Sequence, residues 1–326
     1  MEQIIKHTKY VDPMIDVAFK QLLGQEKNKH LTKGLLEHVF NLDIEELSFV
    51  NVEHPGNTLE DRNAVFDIQC RSKQIGEFIV EMQVREQRHF SKRALYYSTF
   101  PITAQAPKGD WNYDFKPVFF LGMLNFKISE TNGFIHRYSI LEEGSGHQLT
   151  DALQFVFMEV GPFDKSWNDC KSFEEKFLYY FKNLPTFASK PDTQQDSYFE
   201  ELLAAAEYSN MTKAEREAYN RRLKIRRDNY AADEFAREKA EEYVREKSEE
   251  LAREMAEELA REKAEELARE MAEEFAREMA DKEREKATKE SQIQIARNLL
   301  AMGLSPEQAA EATGLAVEEV NGLRAL

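Results

Sequence analysis

From Ala236 to Ala280 the chain repeats itself every eight residues, as in AREKAEEL, and nearly every four. Glu recurs without a break from Glu238 through Glu242 and Glu246 to Glu278, and a neighbouring row alternates Arg237, Glu241, Arg245 and Glu249 as far as Arg277. Ala, Glu, Arg, Lys, Leu and Met are all strong helix formers. Each Glu placed four residues before an Arg adds roughly 0.2 to 0.5 kcal/mol, while the all-Glu row opposes the helix by similar amounts per pair. The expected product is one long helix, with these 45 residues reaching roughly 65 to 70 Å. A third row, Tyr243, Leu251, Met255, Leu259, Leu267, Met271 and Phe275, is interrupted by Lys247 and Lys263. It advances about 40° per step and so winds around the helix, where a coiled coil needs spacing near 3.5 residues. A solitary charge-laddered rod or a loose bundle is expected at least as readily as a coiled coil.

What precedes this segment is globular, carrying both Trp residues and almost all of the Phe. The 326 residues suffice for one sizeable core plus extensions. A net charge of −16 disfavours indiscriminate nucleic-acid binding, but 10 basic and 17 acidic residues between 236 and 282 account for nearly half of the excess. Cys70 and Cys170 are too few for a disulfide framework and lack zinc-site spacing, so a cytoplasmic protein is expected. No leader pattern opens the sequence, and the longest apolar stretch, around Pro117 to Leu124, is too short for a bilayer. No membrane partner is expected.

Residues 64 to 83 read AVFDIQCRSKQIGEFIVEMQ, two apolar runs around a polar, Gly-containing break. Alternation puts Glu81 and Gln83 on one face and Met82 on the other. A hairpin closing near Gln74 would set Asp67 opposite Glu81, about 4.5 to 5.5 Å apart at Cβ, close enough for two carboxylates to share one hard cation. The alternative is a pair of acids on the solvent face of an ordinary hairpin. Directly afterwards Arg85, Arg88, His89, Lys92 and Arg93 form a basic cluster, and Arg221, Arg222, Lys224, Arg226 and Arg227 form a second.

Around the hairpin the order of elements is α/β. Asp16 is expected to cap a helix over VAFKQLLGQ that Gly24 terminates, and a second helix covers Leu31 to Phe40 with Leu35, Leu36, Val39 and Phe40 buried. The strand SFVNVEH and a loop with Pro55 and Gly56 precede the hairpin, and a helix carrying Arg93 to Tyr97 follows it. PVFFLGMLNF reads as a central strand covered on both faces and LQFVFMEV as another buried strand. Residues 171 to 184 and 196 to 230 read as helices. The tail after Glu290 gives an amphipathic helix ending at Gly303, a second capped by Ser305 with Pro306 and Gln308, and a third after Gly314. This is helix-turn-helix spacing. Glu318 and Glu319 stand where DNA contacts would be wanted, so an interaction or oligomerisation module is expected there.

These motifs, DVAFKQLLG at 16 to 24, LLEHVFNLDI at 35 to 44, FDIQC to IVEMQ, RALYY at 93 to 97, KPVFFLGMLNF, FMEVGPF, KAEREAYNRRLKIRRD and GLSPEQAAEATGL, occur in an order that resembles the recombination-promoting nuclease/putative transposase (Rpn) family of the PD-(D/E)XK superfamily. The resemblance implies a PD-(D/E)XK, restriction-endonuclease-like core over 1–190, a helical extension over 191–235, the long charged helix over 236–290 and a small helical module over 291–326. It implies a DNA endonuclease using Mg²⁺ or another divalent cation, tied to recombination or mobile elements. Asp67 and Glu81 would bind the metal. Gln83 would stand where the wider superfamily usually has a catalytic Lys, orienting a water through its amide. Lys20, Arg85 or Arg93 would restore the missing charge, and Glu37 is the candidate for a further acid against its reading as an ordinary helix residue. Arg85, Arg88, Lys92 and Arg93 would hold DNA phosphates, Arg93 alternatively pairing with an acid under the sheet. The competing function is a catalytically weak nuclease fold acting as a DNA-binding or assembly module, a homo-oligomer through the long helix and the tail.

Overall fold

The computed structural model describes residues 9–50, 53–54, 64–107, 109–191 and 196–323. The chain divides into two compact units, Met1–Ala231 and Ala232–Leu326. In the first, helices α1 (Asp16–Leu23) and α2 (Lys29–Phe40) precede strands β1 (Ser48–Phe49), β2 (Glu53–His54), β3 (Ala64–Val65), β4 (Ile68–Ser72) and β5 (Gly76–Gln83). Helix α3 (Phe90–Ala104), strands β6 (Val118–Leu124), β7 (Ile135–Leu141) and β8 (Gln148–Glu159), and helices α4 (Phe173–Asn183) and α5 (Ser197–Ala206) follow. Helix α6 runs from Lys213 to Ala301, and the short helices α7 (Pro306–Thr313) and α8 (Val317–Gly322) end the described chain.

Six strands form a mixed sheet in the order β1-β4-β5-β6-β8-β7. Strands β5, β6 and β8 are parallel and central, and every residue of β6 is buried, as expected for a strand covered on both faces. Phe78, Val80 and Met82 of β5 join the larger core with α1, α2, α4 and α5, whereas Ile79 joins Phe66, Phe90, Ala94 and Phe120 on the side of α3. By this parity Glu81 and Gln83 share the α3 face.

Several boundaries differ from the sequence reading, each for a local reason. The first run of the hairpin is not one strand. Ile68–Ser72 pairs with β5, while Ala64–Val65 pairs with β2 in a separate ribbon, and the chain bends at Asp67. Phe66 anchors that bend, fully buried with its ring 5.4 Å from Tyr97. The expected single strand SFVNVEH is likewise divided into β1 and β2, and the loop with Pro55 and Gly56 lies outside the described residues.

Asp16 does not cap α1. Ile15 holds the cap position without a side-chain bond, and the Asp16 carboxylate faces Arg222 Nε at 3.4 Å. Gly24 ends α1 through close approach: a Cβ there would lie 2.7 Å from Lys20 O and 3.3 Å from Ile68 Cγ1. The helix expected over 196 to 230 breaks between Ala206 and Lys213. The extended segment at Lys9 to Val11 draws off backbone groups there, with Val11 N donating to Ala206 O and Tyr208 N donating to Lys9 O. Strand β7, with no counterpart in the sequence reading, pairs antiparallel with β8 at the sheet edge.

In the second unit the repeat is helical throughout, as its rows require. Leu251, Met255, Leu259, Leu267, Met271 and Phe275 are each more than half exposed. Arg237, Arg261 and Arg269 pair with the Glu four residues later, at 2.8, 3.1 and 3.4 Å, the weaker of the two possible orientations. The amphipathic segment after Glu290 is the last part of α6 itself. Its Ala296 packs with Ala309, Ala310, Leu315 and Val320, and Ser305 and Gln308 form the expected capping box.

Candidate active site

Register places the two acids together. Ile68 pairs with Val80, which sets Asp67 against Glu81, and the contact is direct: Asp67 N–H donates to Glu81 Oε1 at 3.1 Å, while Met82 N–H donates to Asp67 Oδ2 at 3.0 Å. Because β4 starts only at Ile68, the Asp67 backbone is released from the ladder and can make this bond. Glu81 is 7% exposed. Burial, and then the Asp67 charge beside it, push its carboxyl up to about 8, against the opposing pull of the Asp67 N–H, Arg93 and Lys20.

Two cations flank the acids from opposite sides of the sheet. Lys20, on α1, reaches Asp67 Oδ1 at 3.4 Å. Arg93, on α3, donates from Nη2 to Gln83 Oε1 at 2.6 Å and from Nη1 to Gln87. Its guanidinium lies 5.1 Å from the Phe90 ring and 5.7 Å from the Tyr97 ring. Gln83 in turn donates from Nε2 to the Arg85 carbonyl oxygen at 2.8 Å. Among the described residues no carboxylate forms an ion pair with Arg93, so the expected alternative of an acid beneath the sheet is not what holds it.

Sequence reasoning passed over Tyr97 and Gln87. Tyr97 stands one turn beyond Arg93 on α3, which is the signal that could have found it. Burial raises its hydroxyl pKa, Arg93 opposes the rise, and Glu81 and Asp67 add to it. Other expected residues lie apart. Glu37 accepts from Lys33 Nζ at 2.8 Å and from Ile44 N–H at 3.0 Å, tying the end of α2 to the following loop. Arg85, Arg88 and Lys92 are exposed on the turn after β5 and the first turn of α3.

Among the described residues no group of three or more His, Cys, Asp and Glu side chains forms a metal cage. The donor set is two carboxylates. That suits a hard cation completing its shell with water and phosphate oxygen, and a buried acid whose charge is penalised by its neighbour is one that such a cation would relieve.

A mixed sheet between helical layers, with paired acids at the bend before one central hairpin strand and near the end of the next, defines an α/β nuclease core. Residues 13–236 match the PD-(D/E)XK nuclease family transposase, and residues 289–325 match the Rpn/YhgA-like nuclease family, C-terminal HTH domain. The first match spans well over half of the chain, and the chain belongs to this Rpn-type PD-(D/E)XK transposase family. The helix-turn-helix spacing read in the tail agrees with the second match. Neither a curated protein nor a solved structure matches the chain. No helix among the described residues is long and apolar enough to cross a membrane.

Proposed function

We propose that the protein is a divalent-metal-dependent DNA endonuclease that hydrolyses phosphodiester bonds in recombination or in the movement of mobile elements. The observation that carries this reading is the Asp67–Glu81 contact, a buried carboxylate hydrogen-bonded to the backbone of a second acid at the bend before β4. Asp67 and Glu81 would hold Mg²⁺ or a similar cation, which when bound lowers the pKa of a coordinated water and polarises the scissile phosphate. Lys20 faces the same acid pair and supplies positive charge from α1. The forked guanidinium of Arg93 suits a phosphate oxygen, and Arg85, Arg88 and Lys92 would hold flanking phosphates along the basic turn. Supercoiled plasmid incubated with Mg²⁺, Ca²⁺ or EDTA tests the reading. Metal-dependent nicking that Glu81→Gln abolishes supports it.

The second reading, a catalytically weak nuclease fold that binds DNA or assembles with partners, is favoured by the match of residues 289–325 to a helix-turn-helix domain. DNA binding without nicking in any of the three conditions would select it. Deletion of 291–326 then reports whether the tail contributes to DNA affinity or to the oligomeric state.

A further inference from the structure

The amide of Gln83 is committed at both ends, its oxygen to Arg93 at 2.6 Å and its nitrogen to the Arg85 carbonyl at 2.8 Å. The oxygen is the only part of the side chain that could accept a hydrogen bond from an attacking water, and the guanidinium takes one of its two lone pairs. The first partner of that oxygen is thus Arg93 rather than a water. Arg93, for its part, makes its direct contacts among the described residues with neutral groups: two amide oxygens and the faces of two aromatic rings. Two of its five N–H donors are used in these bonds, which leaves the remainder of the fork available. A half-buried arginine fixed this firmly, with no ion pair to an acid among the described residues, is prepared for an anion that arrives from outside.

We propose that Gln83 is a positioning residue for Arg93, and that the cation required beside the Asp67–Glu81 pair is the Arg93 guanidinium, set in place by Gln83 and Gln87 to meet a phosphate oxygen of the nucleic-acid backbone. This rests on the nuclease reading above and assigns roles within the same site. Neutral partners are essential to it. A glutamate at 83 would hold Arg93 in the same place but cancel its charge, and a lysine at 83 would set a second cation against it. Lys20 is less suited to the role, because it is already paired with Asp67 and its side chain is 43% exposed.

The test is a charge exchange. Gln83→Lys, Gln83→Glu, Arg93→Gln and the double variant Gln83→Lys/Arg93→Gln are compared with the intact chain, each checked for native circular dichroism. Two measurements are made: plasmid nicking in Mg²⁺, with kcat and KM separated, and affinity for a fluorescein-labelled DNA duplex in Ca²⁺. Arg93→Gln should lower kcat by about 100-fold, as for loss of one preorganised donor. Gln83→Glu should lose about tenfold or more in both kcat and duplex affinity with the fold intact, which a purely structural role would not produce. Gln83→Lys alone should also be slower than wild type. The double variant, which exchanges cation and amide, should return to within about tenfold of wild type. A Gln83→Lys protein as fast as or faster than wild type, or a double variant no better than Arg93→Gln, would overturn the assignment while leaving the nuclease reading intact. If wild type fails to nick, the nuclease reading falls and duplex affinity alone decides: weakening in Arg93→Gln and Gln83→Glu with recovery in the exchange supports the positioning role, and equal affinities overturn it.

Discussion

Replacing Glu81 with Gln should make the cation-free protein more stable at alkaline pH. Glu81 is 7% exposed, and burial together with Asp67 raises its carboxyl from 4.5 to about 8. A raised acid is protonated in the folded chain while it is already ionised in the unfolded one. Below pH 4.5 both states hold the proton and nothing is lost; as pH climbs toward 8 the folded state is progressively penalised, and the penalty is complete above 8. At 1.36 kcal/mol per pKa unit the ceiling is about 4 to 5 kcal/mol. Part of the effect is shared with Asp67, so on the order of 3 kcal/mol is expected, or roughly 6 to 12 °C in Tm for a unit of this size. The amide keeps an oxygen for the Asp67 N–H and has no charge to desolvate. Thermal unfolding in EDTA from pH 5 to pH 9 should therefore show Glu81→Gln and wild type converging at the acid end and separating with the variant higher at the alkaline end. Millimolar Mg²⁺ at pH 8 should close the gap by stabilising wild type alone. A difference independent of pH, or a wild type that unfolds later than the variant at pH 9, would refute the account of a carboxylate held in an unfavourable setting by its neighbour.

Three further outcomes follow from other parts of the chain. Asp67→Asn should abolish Mg²⁺-dependent nicking and preserve the circular dichroism spectrum, since an amide oxygen can still accept from Met82 N–H; undiminished cleavage would remove Asp67 from the site. Gly161→Ala would put a Cβ 2.3 Å from Asn125 O, an overpacking that should cost about 1 to 3 kcal/mol in urea unfolding, with a loss of activity because Asn125 N–H donates to Gln83 O. Leu251→Glu with Met255→Glu should leave the sedimentation coefficient unchanged, because the apolar row winds around α6 and offers no continuous seam; dissociation of an oligomer would show that the row is an interface.

What the sequence could convey depended on how local the determining contacts are. The strand register was legible, because side-chain parity within IVEMQ and the position of the polar break set Asp67 against Glu81 without any knowledge of the rest of the fold. The central strand Val118–Leu124 was legible because it is apolar on both faces. The bend at Asp67 was not. It depends on Phe66 packing against Tyr97 of α3, a contact spanning 31 residues of chain, and it is this bend that releases the Asp67 N–H to Glu81. The break between Ala206 and Lys213 was hidden for the same reason, since it is imposed by backbone bonds from Lys9 and Val11 on a segment whose own pattern is helical. At Gln83 the type of residue was visible from the start. Its partner was not, because nothing in the spacing of residues 83 and 93 distinguishes a guanidinium folded back onto an amide from one directed at solvent.

Lys20 sets a final test of how charge is distributed around the acids. Its ammonium faces Asp67 Oδ1 at 3.4 Å, so in the cation-free protein it acts as counter-ion to a carboxylate that would hold a divalent metal. The two charges compete. Unit charges about 4 Å apart interact by about 1 kcal/mol in a water-like dielectric, and the exposure of this side chain keeps the environment close to that limit. Removing the ammonium in Lys20→Met should therefore tighten the half-saturating Mg²⁺ concentration for nicking by about three- to fivefold. At saturating Mg²⁺ the same variant should turn over more slowly, because the Lys20 ammonium would then be available to a phosphate oxygen, and that contribution is lost with it. The two effects have opposite signs, which separates this account from a structural one. If Lys20 merely braces α1 against the bend, its removal should disorder Asp67 and raise the Mg²⁺ requirement. An increase in that requirement would reject the competition.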